Sequence, residues 1–329
     1  MHRLLSFTLT LLTLWVCPAP AAPLNLGTNT TLAFATVAQA HEILTRRDDF
    51  VRALSPFDRA VRMKSGEAVS EADFLAFVGE HNLEWTGAEK EQVAAALEPL
   101  QEKFKSLALP FPQTVLLIKT TGMEDSNSPY TRSHAIILPQ ATIAKPVDAL
   151  RKTLVHELFH ILSRANPELR DRLYATIGFI KCDEAEFPAE LKPVKLTNPD
   201  APANTHCILL KHAGQDVWAV PILYSHTNRY DTTTSRSLFS YLQLRLLVTD
   251  RDRANPDAKP SFTNKNTRLL RVEETTGFFE QIGQNTKYII HPEEIVADNF
   301  GLLISGGKAA SPEVLKRIED IFKARPPQK

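Results

Sequence analysis

Several things are scarce in this chain of 329 residues, and each absence excludes something. Beyond the N-terminus no stretch approaches the 18 or more apolar residues of a transmembrane helix, so a soluble mature chain is expected. Neither sign of charge dominates, with 38 basic against 38 acidic residues. That excludes the basic excess or stripe of a nucleic-acid surface. Mixed runs such as Arg251-Asp252-Arg253 read as solvated loop. There is no internal repeat and no long low-complexity segment. A hydrophobic content of 43% is that of an ordinary globular protein. Cysteine is rare, at three residues, and none has metal-ligand spacing.

What is present begins with a short positive start, Met1-His2-Arg3, and an apolar run of 13 residues, Leu4 to Val16. Cys17-Pro18-Ala19-Pro20-Ala21-Ala22-Pro23 follows. This is the layout of a secretory signal peptide over 1–22, cleaved after Ala21 or Ala22. Val16 stands where a lipoprotein signal usually carries a small residue, which disfavours lipidation at Cys17. A secreted or periplasmic protein is expected. Cys182 and Cys207 then remain as an even pair in an oxidising compartment, and a structural disulfide between them is expected. It would close a loop of about 25 residues, worth roughly 3 kcal/mol in the chain-entropy model.

The organisation reads as α+β. Residues 23–110 are expected to form a helical N-terminal region. Ala33, Val37, Ala40, Ile43 and Leu44 fall at helical spacing. Ser70 and Thr86 are N-caps, the latter with Glu89 in a capping box. Residues 111–329 form a second unit with a mixed sheet. Thr114 to Thr120 and His134 to Leu138 read as strands by their β-branched and apolar content. Pro146 opens a helix running to about Arg164. A strand-rich insertion spans about 182–290, with a hairpin turning at Ala213-Gly214-Gln215-Asp216. Pro292 opens another helix, and Ser311-Pro312 the last.

Chemistry enters with His156-Glu157-Leu158-Phe159-His160, an HExxH run within the helix begun at Pro146. Residues four apart share a helix face, so both imidazoles can reach one ion. Glu157 lies about 100° round from His156, near an open coordination position. A zinc ion there lowers the pKa of its bound water, and the carboxylate takes the proton. The neighbours Thr153, Leu154, Val155, Leu158, Phe159, Ile161 and Leu162 are uncharged, as a buried metal helix requires. Two histidines leave the ion short of a third protein ligand. The HExxHxxGxxH solution is excluded, because Ser163 and Asn166 stand where Gly and His are needed. Glu294-Ile295-Val296-Ala297-Asp298 offers ExxxD, with Glu294 as ligand and Asp298 able to hold the free nitrogen of a ligand histidine. Glu293 is the nearest rival, with Ala297 four residues on.

On these residues the chain resembles the gluzincins, the thermolysin- and neprilysin-like zinc metallopeptidases with HExxH and a downstream ExxxD. Glu294 to Asn299 looks closest to their ExxAD-N element. The resemblance implies a zincin-like fold, with a mixed sheet, a metal helix and a second ligand helix. It implies one zinc per chain on His156, His160 and Glu294, with Glu157 as general base and Asp298 orienting a ligand. It implies a peptide or protein substrate paired to an edge strand, for which His134 to Leu138 is the candidate. The motifs cover about a dozen residues, and the topology covers 114–301 loosely. After Glu294 there is no Tyr or His to stabilise an oxyanion. Tyr288, His226, Tyr224 and Tyr130 are the available donors. That departure keeps a second reading open: an inactive zinc protein that holds a peptide or partner. A purely structural site ranks last, since such sites favour four ligands and cysteine. Substrate preference and oligomeric state are not legible.

Overall fold

The computed structural model describes residues 24–324 apart from 27, 28, 108, 235, 253, 256, 257, 264 and 265. The expected signal peptide, 1–22, lies outside the described residues.

The chain begins with β1 (Leu24–Leu26) and β2 (Thr30–Phe34). Helices α1 (Val37–Leu44), α2 (Asp49–Ala53), α3 (Pro56–Arg62) and α4 (Glu71–Glu80) follow, then β3 (Asn82–Leu83). Next come α5 (Gly87–Leu97) and α6 (Gln101–Leu107). Ser70 and Thr86 cap α4 and α5 as expected, each accepting the backbone N–H three residues on. The stretch 23–110 is therefore not helical throughout. Its β1 and β2 continue the sheet of the following segment, and Thr30–Phe34 overlaps the apolar positions read as helix. β-branched threonines and two bulky apolar residues decide for the strand.

The first sheet has the order β1-β2-β4-β6-β5, with β4 (Thr114–Thr120), β5 (Tyr130–Arg132) and β6 (Ala135–Pro139); β3 also pairs with β4. β2, β4 and β6 run parallel, and β5 is antiparallel to β6. The apolar strand 134–138 is thus interior, not the edge. The edge is β5. After α7 (Gln140–Ile143), the long α8 (Val147–Ala165) packs on this sheet. Its Leu150, Leu154, Leu158, Phe159 and Leu162 are fully buried. α9 (Pro167–Ala175) follows, and Gly178, with φ +85°, turns the chain into β7 (Phe179–Lys181).

The second sheet has the order β11-β10-β9-β8-β7, all antiparallel, from β8 (His206–His212), β9 (Gln215–Ser225), β10 (Leu242–Asp250) and β11 (Arg268–Leu270). The expected hairpin is β8–β9. Three helices close the chain: α10 (Phe278–Ile282), α11 (Pro292–Ser305) and α12 (Pro312–Lys323). Ser311 does not cap α12; its hydroxyl accepts the Gln284 N–H instead. One apolar core joins both sheets to α8, α11 and α12. Among the described residues no helix is long and apolar enough to cross a membrane.

The expected disulfide is not formed: Cys182 and Cys207 are both free and buried. Lys181 faces His206 and Ile180 faces Cys207, so Cys182 sits diagonally from Cys207. The thiols instead share a hydrogen bond, which pushes the Cys207 thiol up and the Cys182 thiol down.

A buried ion cluster ties the helical front to the rest. The Arg62 guanidinium, on α3, bonds Asp58, Asp125 and the Thr197 carbonyl. All three ionic side chains are nearly inaccessible. Removing the cation strands two buried carboxylates, which typically costs about 3–5 kcal/mol. Arg62→Met is therefore expected to lower unfolding free energy by about that much, read from urea denaturation at neutral pH.

Candidate metal centre

α8 and α11 lie against each other. His156 meets Glu294 and Asp298, His160 meets Glu293 and Glu294, and Ser163 meets Glu293. Numbers rise on one helix as they fall on the other, so the two run antiparallel. Pro292 stands at the first turn of α11, where its missing N–H is harmless. Buried His291 caps that turn, its Nδ1 accepting the Glu293 N–H. Burial holds the His291 imidazole down at about 4, so it stays neutral and able to accept. Two carboxylates in the first turn also suit the positive end of the helix.

Each histidine is held by its Nδ1, leaving Nε2 for the centre. His156 Nδ1 donates to Asp298 at 3.0 Å, and His160 Nδ1 donates to Glu293 at 2.8 Å. Both Nε2 atoms then point at one oxygen, Glu294 Oε2, at 3.0 Å and 3.6 Å. A carboxylate behind each ring fixes the tautomer and raises its basicity. The carboxylates are themselves held. Glu293 Oε2 accepts Ser163 Oγ at 2.7 Å and the Tyr174 hydroxyl. Asp298 accepts the Thr286 hydroxyl, and Glu294 Oε1 accepts Asn198 Nδ2 at 2.6 Å.

Two buried atoms in this cluster lack partners: His160 Nε2 and Glu157 Oε2. His160 is 1% exposed and Glu157 2% exposed. Unpaired buried polar atoms are uncommon, and these two lie beside the histidine–carboxylate cluster. His156, His160 and Glu294 each offer a donor atom within 4.8 Å of the others. These residues could hold a metal ion.

The electrostatics follow from the same contacts. Burial works against the His156 cation, but Asp298 and Glu294 more than offset it and hold the ring up at about 10. His160 is likewise raised, since nearby Asp200, Glu294 and Glu293 outweigh burial. Glu294 is buried yet lies well below the usual carboxylate range, because both imidazoles favour its anion. Glu157 goes the other way: burial, and then the Asp200 charge, push it up to about 8.

The sequence-derived residues fall as follows. His156, Glu157, His160, Glu294 and Asp298 are brought together. Tyr288 joins them, lining a cavity of about 330 Å³ with His156, Glu157, Lys152, Asp200, Phe239 and Glu294. It is 38% exposed. His226 does not line that cavity; its ring stacks on Tyr241 and its Nδ1 donates to the Tyr241 carbonyl. Tyr130 is buried on β5, and Tyr224 lies on β9, paired with Gln243 of β10. Glu293, weighed as a rival ligand, orients His160 instead. Asp200 and Asn198 had no signal in the sequence. One donor atom each from Glu157, His160 and Asp200 also lie within 4.8 Å of one another.

Comparison with protein-family models, with curated proteins and with solved structures finds no match. The site therefore stands on its own geometry.

Two outcomes follow. Asp298→Asn weakens the bond behind His156, and partners of this kind are worth about 10–100-fold in metal affinity. A loss in that range is expected in competition with a chromophoric chelator. In the metal-free protein, Glu157 binds its proton more tightly folded than unfolded. Its contribution is favourable at low pH and is lost as pH rises from its ordinary value through about 8. Metal-free Glu157→Gln should thus be more stable than wild type at pH 9, by on the order of a few kcal/mol. The gap should close near pH 4, and urea midpoints across that range test it.

Proposed function

We propose that this protein is an exported zinc-dependent metallopeptidase of zincin-like fold, hydrolysing peptide bonds. The observation that carries the reading is the convergence of two oriented imidazole Nε2 atoms on Glu294 Oε2, with an unpaired Glu157 carboxylate beside them. Two imidazoles and one carboxylate are a donor set suited to zinc, and three protein ligands leave a position open for chemistry. When bound, the ion supplies Lewis-acid activation of a water and of the scissile carbonyl.

The chain's own residues divide the remaining work. His156, His160 and Glu294 bind the ion. Asp298 and Glu293 orient the two rings. Glu157 lies in the cavity wall with a free oxygen and a raised proton affinity. It is the general base, taking a proton from the attacking water and returning it to the leaving amine. Tyr288 lines the same cavity, where partial desolvation and the nearby Glu294, Asp200 and Glu157 charges disfavour its anion and keep its hydroxyl protonated. It is the candidate donor to the developing oxyanion, the role that has no candidate after Glu294. With a signal peptide at 1–22, this chemistry runs outside the cytoplasm, in a secreted or periplasmic protein acting on peptides or proteins.

A second reading has one observation in its favour. The edge strand β5, where a peptide would pair, already has its Thr131 N–H engaged by Asp200 at 2.7 Å. A zinc protein that binds a peptide or partner without turnover would fit that arrangement. Tight peptide capture without cleavage would support it.

The test begins with metal content. One zinc per wild-type chain is expected, and Glu294→Ala should lose it or hold it far more weakly. Glu157→Gln should keep zinc and lose at least about 100-fold in peptide hydrolysis, the usual worth of a positioned base. A well-folded wild type that takes up no zinc would overturn the metallopeptidase reading.

A further inference from the structure

A short segment crosses the centre. Residues 197–203, Thr-Asn-Pro-Asp-Ala-Pro-Ala, form a strap between the two sheets. It is fastened at its start, where the Thr197 N–H donates to Asp58 and its carbonyl accepts Arg62. It is fastened again at Pro199 and Asp200, whose carbonyls accept Arg164 Nη2 at 3.4 Å and 3.1 Å. Asn198 reaches down to Glu294, and Asp200 reaches sideways to β5.

Asp200 stands at two places a substrate would use. Its Oδ1 accepts the Thr131 N–H at 2.7 Å and the Thr131 hydroxyl at 2.6 Å. That N–H is the outward donor of the edge strand, the group that an added strand would claim. Among the described residues no hydrogen bond uses Oδ2. Asp200 also shares the cluster with His160 and Glu157, whose buried Nε2 and Oε2 atoms are unpartnered. On one side of the strap is the 330 Å³ cavity beside His156 and Glu157. On the other is a cavity of about 880 Å³, lined by Pro199 to Ala203, Arg132, Arg164 and Glu293. Asp200 lines both, so the strap is the partition between them.

We propose that Asp200 is a fourth protein ligand in the resting protein, so that strap 197–203 closes both the metal's open position and the edge of the substrate cleft. This rests on the metal reading of His156, His160 and Glu294. Donor atoms round a tetrahedral zinc with bonds of about 2.0–2.2 Å stand roughly 3.3–3.6 Å apart. One Asp200 carboxylate oxygen lies within 4.8 Å of the His160 and Glu157 donors, so the strap holds it next to the shared ligand His160. Its bond to Thr131 through Oδ1 leaves Oδ2 for the ion. The same strap explains why β5 presents no free edge in this structure. Displacing it would free the Thr131 N–H, open the fourth position and merge the two cavities along β5. The regulation is thus a latent state, relieved by moving one half-buried loop while α8 and α11 stay in place.

The experiment uses cobalt(II) as a spectroscopic stand-in for zinc, in the wild-type protein and in Asp200→Asn. Asparagine keeps an acceptor for Thr131 but removes the charged ligand. Both proteins are expected to take up one cobalt. The variant should show a changed d–d absorption and give up its metal to a chelator at least about tenfold faster. Acetohydroxamate, which needs an open position, should shift the variant's spectrum at concentrations that leave wild type unmoved. Identical spectra and chelation rates would overturn the Asp200 assignment while leaving the three-ligand site intact. No cobalt uptake by either protein would overturn the metal reading, and this inference with it. The wild type also decides alone, should the variant not fold: a strong spectral response to acetohydroxamate means that the fourth position is open and the inference is wrong.

Discussion

The antiparallel contact between α8 and α11 is the constraint on which the rest depends. Three residues of one helix, His156, His160 and Ser163, meet three of the other, Glu293, Glu294 and Asp298. Every polar group there sits over an apolar floor. Phe159 of α8 packs on Phe300 of α11, and both are fully buried. That floor lowers the local dielectric, which strengthens each hydrogen bond and penalises each unpaired atom. Most polar atoms in the contact are accordingly paired. The exceptions, His160 Nε2 and Glu157 Oε2, face one spot, where pairing by an ion or a substrate would be worth most.

How much of this could be read in advance depended on periodicity. HELFH and EIVAD were legible because a helix turns a spacing of four into a shared face. The Asp298–His156 bond follows from that geometry once the helices meet. Glu293 was legible as a carboxylate but not in its role. Its neighbour Glu294 lies about 100° round the helix, and only the packing decides which of the two meets the histidine Nε2 atoms and which meets Ser163 and Tyr174. Asp200 and Asn198 carried no signal at all. They lie in a proline-rich connection with no period, placed by tertiary bonds to Asp58, Arg62 and Arg164.

The expected strands 114–120 and 134–138 and the hairpin are present, but the edge assignment fails for the complementary reason. An interior strand covered on both faces reads as a continuous apolar run, as β6 does in Ala135 to Leu138 between parallel β4 and antiparallel β5. The true edge, Tyr130-Thr131-Arg132, is short and polar, and an edge is usually kept so. Near the N-terminus, Thr30 to Phe34 overlaps an apolar spacing that suits a helix. Pairing of β2 with β4 settles it, and no local window contains that partner. The cysteine pair was correctly placed near one another, but a two-residue offset in register lies below what spacing along the chain can report.

Charge balance bears on how this site would accept an ion. Glu157, Glu293, Glu294, Asp298 and Asp200 surround two imidazoles. Left alone, such a set repels itself, and protons are the available remedy. The carboxylates raise both rings, His156 to about 10, while burial and then the Asp200 charge lift Glu157 to about 8. A divalent cation that displaces one proton from each ring adds two charges and removes two. The net charge in the core is unchanged, so binding need not rearrange the helices. It must, however, release protons, which ties occupancy to pH through the ligands themselves. Acid competes with the ion for His156 and His160, and the carboxylates behind the rings sharpen that competition by favouring either cation. The same five carboxylates that would attract a metal thus also make the centre a strong proton trap, so an ion would prevail only as pH rises.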